Sequence, residues 1–482
     1  MRFGDIVVPA CRPENLGDPD FRSGYGLKYA YVGGSMANGI ASLRMAQAFA
    51  EAGMLGFFGA AGLQPEELEK VIEQAQSGLR GRVFGCNLIH SPNEPNLEAE
   101  VVDIYLRRGV TLIEASAYLD LTLPLVRYRV KGIRRSPSGE AVCANRIMAK
   151  VSRVEVATRF MSPPPEKFIK ELLSRGEISQ EQAELAAALP MADDVTAEAD
   201  SGGHTDNRPA ITLLPTIIAL RDRVQAQYGF ARPVRVGAAG GIATPASAAA
   251  AFAMGAAYVM TGSVNQACVE SGASGLVRQM LAEAGQADTG MAPAADMFEM
   301  GVKVQVLKRG TMFAMRAQKL YDLYKAHSGL DDIPAPARAA LERDYFRAPC
   351  GEIWRQTREY FLKRDPAQAE KAERDPKHKM ALVFRWYLGQ ASRWANSGDA
   401  SRKVDYQIWC GPAMGAFNEW AKASCLEGPD QRQAAVVALN ILAGAAYLLR
   451  INSLRGQGVA VAPGLAAFPP RTWEDLRKLI AD

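Results

Sequence analysis

The sequence predicts a (β/α)8 barrel carrying a helical insertion, followed by a mostly helical C-terminal domain. Three observations carry this reading. Over the first 290 residues one rhythm repeats: a short β-type run, a loop of small or polar residues, then an amphipathic helix. Candidate strands fall at 29–33, 55–58, 83–87, 112–115, 146–150, 195–199, 234–238 and 258–261, and eight alternating units favour a closed parallel barrel. Second, residues 234–242 (VRVGAAGGI) and 258–266 (YVMTGSVNQ) are β-branched runs that end in small residues, separated by TPASAAAAFAMGAA, which reads as one helix with a glycine stop. Third, the β pattern fades after residue 290, and Trp, Tyr, Arg and Lys recur at helical spacing over 307–326, 353–364, 378–394 and 431–451.

The helices have their expected punctuation. Residues 42–52 end at Gly53, and residues 65–76 open with Pro65, Glu66 and Glu67, as helix starts should. Between the fifth and sixth strands, residues 163–190 hold two short helical patterns around Arg175-Gly176, expected as a helical hairpin beside the barrel mouth. The expected domains are therefore a barrel over 1–290 with its hairpin at 163–190, and a mostly α-helical domain over 291–482. The charge runs at 367–379 and 397–403 are read as solvated connectors.

Composition narrows the class. A chain of 482 residues exceeds the roughly 250–300 at which single cores stop growing, so two or so domains are expected. With 56 Lys+Arg against 52 Asp+Glu, the chain does not advertise nucleic-acid binding. Its seven cysteines are scattered and include no C-x-x-C, which favours a reduced compartment and no metal site. The first residues lack an apolar core of signal-peptide length, so export is not expected. The longest apolar run, 434–449, contains Asn440 and is shorter than the ~20 residues of a membrane span, so it reads as a buried helix. A cytoplasmic protein without nucleic-acid or membrane partners follows, and the large apolar helical region makes a homodimer the expectation. The absence of G-x-G-x-x-G, P-loop and H-E-x-x-H patterns removes the Rossmann, nucleotide-hydrolase and zinc-protease classes.

Barrel chemistry sits at the C-terminal ends of the strands. In order, those ends read Gly33-Gly34-Ser35-Met36-Ala37-Asn38, Gly59-Ala60-Ala61-Gly62, Asn87, Glu114-Ala115-Ser116, Lys150, Ser201-Gly202-Gly203-His204, Gly240-Gly241 and Gly262-Ser263. Single glycines after strands are ordinary turn punctuation. The pair Gly240-Gly241 with Gly262-Ser263 is different, because bare N–H groups at neighbouring strand ends beside a helix N-terminus bind a phosphate dianion. Such a floor suits a flat ring laid on backbone, with a phosphate at one end. Flavin mononucleotide has that shape, and Asn87 and Lys150 are candidates to hydrogen-bond its pyrimidine edge; the alternative for Lys150 is a paired core lysine. His204 is the histidine in a glycine-rich strand-end loop, flanked by Asp200, Thr205, Asp206 and Asn207. His90, His327 and His378 lack such surroundings and read as structural, and Cys268 reads as packing.

At these residues the chain resembles a known family. ADDVTAEADSGGHTDNRPA, GAAGGIATP, VMTGSVNQACVE, APAADMFEMGVKVQVLKRGTMFAMRA and DYQIWCGPAMGAFNEW resemble the PfaD-type trans-acting enoyl reductases of polyunsaturated fatty acid and polyketide synthases. The barrel half is similar to the wider superfamily of nitronate monooxygenases and flavin enoyl reductases. The resemblance implies an FMN-containing barrel that reduces enoyl groups on acyl carrier protein with NADPH or NADH. Carried over by position, it implies flavin contacts at Met36, Asn38, Asn87 and Lys150, a phosphate site at Gly240, Gly241, Gly262 and Ser263 with Gly202 and Gly203 nearby, and an active-site histidine at His204. Two departures stay among small residues: the first loop reads YVGGSMANG where an Ala-Gly-Ala-Met type is usual, and Ala243 stands where glycine is usual.

The implied mechanism is ping-pong hydride transfer to the β-carbon of an α,β-unsaturated thioester, which needs a donor for the thioester oxygen and a proton for the α-carbon. His204 is the candidate proton donor, since imidazole titrates nearest neutrality, and Lys150 is a candidate to stabilise negative charge on the reduced flavin. A basic run, Lys303, Lys308, Arg309, Arg316, Lys319 and Lys325, is either a docking face for an acidic carrier protein or a solvated helix face. Three rivals remain. A nitronate monooxygenase-like flavin oxidase would use the same residues and pass electrons to oxygen. An IMP dehydrogenase-like barrel would need a nucleophilic cysteine that the stretch RDRVQAQYGFARP lacks. A scaffold within a synthase would fail to hold flavin.

Overall fold

The computed structural model describes residues 2–3, 6–7, 11–79, 81–92 and 94–481. At its centre eight parallel strands close into a barrel: β1 (Tyr31–Gly33), β2 (Leu55–Phe58), β3 (Gly85–Ile89), β4 (Leu112–Ser116), β5 (Arg146–Val151), β6 (Asp194–Glu198), β7 (Arg235–Ala239) and β8 (Val259–Thr261). Every strand follows its predecessor around the barrel, and β8 pairs with β1 through Val259↔Tyr31 and Thr261↔Gly33 to close it. The eight strands expected from the sequence are these, with ends moved by two residues or fewer. Side-chain caps set several helix starts: Ser42 accepts from Met45 N at 3.1 Å, and Ser179 and Thr244 each form a capping box.

Period-two alternation sorts each strand. Val32, Phe57, Leu112, Met148 and Met260 form one cluster inside the barrel, while Tyr31, Phe58, Ile113, Ala149 and Val259 pack outward under the helices. The interior is layered. At the N-terminal end Asp194 is fully buried in a bidentate pair with Arg235 (2.7 and 2.9 Å) and accepts from Tyr25. In the middle Thr196 and Tyr258 share a hydrogen bond at 2.7 Å. At the C-terminal end the inward positions are Glu114, Lys150 and Glu198.

The hairpin at 163–190 exists, as the helices Glu166–Ser174 and Gln180–Leu185. Its expected place beside the mouth is corrected. It lies in the connection that returns to the start of β6, and Gln182 donates to the carbonyl of Lys131 at the end of the helix Leu123–Lys131, so it caps the opposite end. The mouth is covered by residues that come later in the chain. Gly203–His204, Lys303–Leu307 and Thr289–Pro293 form a three-stranded antiparallel sheet, and Val306 bridges Trp409.

Beyond residue 290 the helices divide between two apolar cores. Residues such as Phe298, Phe313, Phe346, Met380, Phe384 and Tyr387 form a core of their own. The helices Ala413–Ala421 and Ala434–Gly456 instead share the barrel's outer core. The run expected to be too short for a membrane span is part of the longer helix Ala434–Gly456, which is long and apolar enough to cross a membrane by length and composition; most of it is buried in the protein, and that part of the expectation holds. Gly444 lets it approach the helix Pro245–Ala253, since a Cβ there would stand 2.5 Å from Pro245 Cγ. The helical region is tied to the barrel by Arg364 with Glu94 (2.7 Å) and by Asn38 donating to Ser392 (3.1 Å).

Candidate functional site

A narrow cleft opens at the C-terminal end of the barrel, bordered by the loops after β1, β7 and β8 and by the ends of β5 and β6. Its floor is mostly backbone. Gly240 and Gly241 both adopt left-handed φ (78° and 76°), which lets the chain after β7 double back without side chains. A Cβ at Gly241 or Gly262 would meet nothing within 4 Å, so two neighbouring strand ends face open space with bare backbone. The short helix Ser263–Gln266 starts there, and its first N–H groups have no intrahelical acceptor. Ser263 Oγ accepts from Gly411 N at 3.2 Å, leaving its hydroxyl hydrogen to donate elsewhere. Ser201 also borders the cleft, and its buried Oγ has no protein partner among the described residues. These features fit the phosphate end of a flavin mononucleotide.

At the other side of the cleft stands one ammonium between two carboxylates. Lys150 Nζ lies 3.4 Å from Glu198 Oε1 and 3.7 Å from Glu114 Oε2. Burial opposes the charge on Lys150, but Glu198 and Glu114 outweigh it and hold its pKa above the ordinary lysine value. Glu114 is fully buried, which raises its carboxyl above the usual range, while Lys150 and hydrogen bonds from Ser35 pull the other way. Glu198 and Lys150 both border the cleft.

His204 pairs in the mouth sheet opposite Val304, and its Nε2 lies 3.2 Å from Asp296 Oδ1. Burial disfavours the charged ring, yet the charge and hydrogen bond of Asp296 prevail and raise its pKa above that of ordinary histidine, with Glu198 adding to the rise and Lys150 opposing it. The loop that carries His204 is clamped: Arg153 Nε and Nη2 reach Asp206 at 2.8 and 2.7 Å, and Gln305 donates to Asp200 and to the carbonyl of Ser201.

Of the residues singled out in the sequence, the cleft brings together Met36, Lys150, Gly202, Gly240, Gly241, Gly262 and Ser263. Gly203 and His204 lie beside it in the mouth sheet. Asn38 and Asn87 stand back. Asn38, at φ 56°, turns its amide to Ser392, and Asn87 is buried with Oδ1 accepting from Ala61 N at 3.0 Å, where it holds the loop after β2. Cys268 is fully buried and its thiol pKa is pushed up by burial, in keeping with packing. His90 stacks on Tyr118 and faces the buried Glu98 at 3.4 Å. In the basic run, Arg316 turns inward to Asp405 and Arg309 pairs with Asp288 at 3.7 Å, while Lys303, Lys308, Lys319 and Lys325 are exposed.

Sequence reading missed Glu198, Asp296 and Trp409, and quoted Glu114 without using it. For Glu198 a signal existed: polar residues at 194, 196 and 198 alternate with apolar ones, which in a barrel strand marks the inward face. Trp409 reaches the cleft because the chain from 409 to 411 crosses the mouth against Ser201 and Gly202, where a Cβ on Gly202 would lie 2.8 Å from Cys410 N.

Comparison with known proteins bears on this geometry. A family model described as nitronate monooxygenase matches residues 25–320, and one described as [acyl-carrier-protein] S-malonyltransferase, inserted helical domain, matches residues 327–406. The polyketide biosynthesis protein PksE of Bacillus subtilis (strain 168) is 45% identical over 444 residues, covering 92% of this chain and 58% of that protein. A component of the polyunsaturated fatty acid synthase of Thraustochytrium sp. is 47% identical over 456 residues, covering 93% of this chain and 30% of that protein. The chain thus spans less than two thirds of these curated relatives. Among solved structures, the enoyl reductase domain of MlnA from the macrolactin biosynthesis cluster of Bacillus amyloliquefaciens is 41% identical with a TM-score of 0.87, covering 91% of this chain and 99% of that domain. FabK from Thermotoga maritima, 20% identical with a TM-score of 0.53 over 90% of this chain and 97% of that one, shares the fold. The chain belongs to the nitronate monooxygenase family, and over nearly its whole length it is similar to the MlnA enoyl reductase domain and to parts of the polyketide and polyunsaturated fatty acid synthase proteins.

Proposed function

We propose that this member of the nitronate monooxygenase family is an FMN-dependent enoyl reductase that uses NADPH or NADH to reduce the α,β-double bond of acyl chains held on acyl carrier protein. The observation that carries the reading is the cleft itself: a mostly backbone floor at two adjacent strand ends with a lysine ammonium at its far side. The likeness to the MlnA enoyl reductase domain over nearly its full length supports the reaction class, and the synthase relatives support a carrier-bound substrate.

Bound in the cleft, FMN would supply hydride to the β-carbon of the enoyl thioester. The chain's residues do the rest. Gly241, Gly262 and Ser263 offer N–H and hydroxyl donors to the phosphate. Lys150, kept charged by Glu114 and Glu198, is a fixed positive centre against which negative charge can be placed. His204, charged to a higher pH than an ordinary histidine, can return a proton to the α-carbon as the double bond's electrons arrive there. The sheet over the mouth and Trp409 limit the access of water.

The test is spectroscopic. The purified protein should hold FMN or take it up, its flavin bands should bleach with NADPH or NADH without oxygen, and an enoyl thioester on a carrier protein should restore them. A protein that cannot be reconstituted with FMN is a scaffold and sinks the reading. Bleaching reversed by oxygen with a nitronate, and not by the enoyl substrate, identifies an oxidase instead.

A further inference from the structure

Asp296 comes from the loop between Thr289–Pro293 and Lys303–Leu307, 92 residues beyond the histidine it meets. That loop has no other evident part in building the cleft, yet it delivers a carboxylate oxygen to 3.2 Å from His204 Nε2. Asp296 is itself held as a carboxylate: burial works against its charge, but His204, its own backbone N–H and Arg385 keep its pKa below the usual range. The other charged groups acting on the ring are Glu198 and Lys150, one of each sign, at the ends of β6 and β5. Asp296 acts on the ring through both its charge and a hydrogen bond, and each outweighs either of these more distant groups.

We propose that Asp296 is the positioning residue of the proton donor: it holds His204 through Nε2–H, so that Nδ1–H is the proton delivered to the α-carbon of the substrate. The inference rests on the enoyl reductase reading. In the step, hydride enters at the β-carbon, the π electrons move to the α-carbon, and the Nδ1–H bond breaks to place its proton there. The ring is left neutral, still donating Nε2–H to the carboxylate, and takes a proton from water before the next turnover. The carboxylate does for the ring what a buried acid does in other histidine acids and bases: it fixes the tautomer and favours the charged form.

Two measurements on the FMN-loaded protein test this. The chain has 4 histidines, so 15N-labelled histidine side chains can be followed directly, with His204→Gln identifying the resonance of interest. In Asp296→Asn the proton affinity of His204 should fall about tenfold, with Nε2 losing its fixed proton. Asp296→Glu should restore much of it. In parallel, enoyl turnover by Asp296→Asn should lose about tenfold on the alkaline side of neutrality and much less in mild acid, while reduction of the flavin by NADPH keeps its rate. An unchanged His204 titration in Asp296→Asn overturns the proposal whatever the enzyme does. A shifted titration with normal turnover by His204→Ala keeps the ion pair but removes His204 as the donor, and so overturns the proposed step and not the enoyl reductase reading. Failure of the flavin to be reoxidised by enoyl substrate in the wild-type protein would sink that reading instead.

Discussion

Lys150 Nζ stands 3.4 Å from Glu198 Oε1, and Glu114 lies 3.7 Å away on the other side, so the ammonium is held between a carboxylate that borders the cleft, Glu198, and one that is fully buried, Glu114. Lys150 favours extra negative charge on a ring laid against it, and each ionised carboxylate beside it opposes that charge. Glu198→Gln removes the more accessible carboxylate and keeps its shape. The midpoint potential of bound FMN should therefore rise, because the reduced flavin carries more negative charge than the oxidised one. Potentiometric titration of the wild type and the variant checks it; a potential that stays put or falls would show that Glu198 does not act on the flavin. Lys150→Met should move the potential the opposite way.

Gly240 and Gly241 share a left-handed φ but differ in what surrounds them. A Cβ at Gly240 would lie 2.5 Å from the backbone of Ala199, whereas at Gly241 it would enter open space. Left-handed backbone costs a non-glycine residue about 1–2 kcal/mol. Gly241→Ala should thus lose about that much stability while its methyl projects where a phosphate would sit, so FMN retention should drop more than the melting temperature suggests. Gly240→Ala adds the clash and should lose about 2–4 kcal/mol, close to the largest effects of point substitutions. Thermal melts with and without added FMN separate the two; equal losses of FMN and stability at both positions would remove the phosphate from Gly241.

The barrel was legible because parallel strands and their helices repeat two periods, and the small residues after β7 and β8 identify a backbone floor without any knowledge of packing. Other features depend on distance along the chain. Glu198 ends a strand whose outward face is apolar, so the run reads as core until its alternate positions are assigned to the barrel interior. Asp296 lies 92 residues from His204, and no local pattern links them. The helix Ala434–Gly456 is apolar on nearly every side, so its sequence gives no direction for its packing; the small side chains that let it lie on the helix Pro245–Ala253 decide it. The hairpin at 163–190 was visible as two helices, but which end of the barrel it covers follows from where its chain re-enters β6.

Arg153 and Asp206 join the end of β5 to the loop carrying His204, and this clamp gives a pH prediction distinct from that of the histidine. The hydrogen bonds from Arg153, against a smaller cost of burial and with help from Ser152, lower the Asp206 carboxyl to about 2. A carboxylate whose folded pKa lies below its unfolded value of about 3.9 contributes its full stabilisation above that value and loses it as pH falls toward the folded one. The clamp is therefore constant from about pH 5 to 9. His204 behaves in the opposite sense: its raised pKa makes the charged form available at low pH and lost as pH rises through the folded value. Asp206→Asn should consequently lower enoyl turnover by a factor that does not change between about pH 5 and 9, because it loosens the loop without altering any titration in that range. A ratio of wild-type to variant turnover that varies with pH would mean that Asp206 acts on the charge of His204 rather than on the position of its loop.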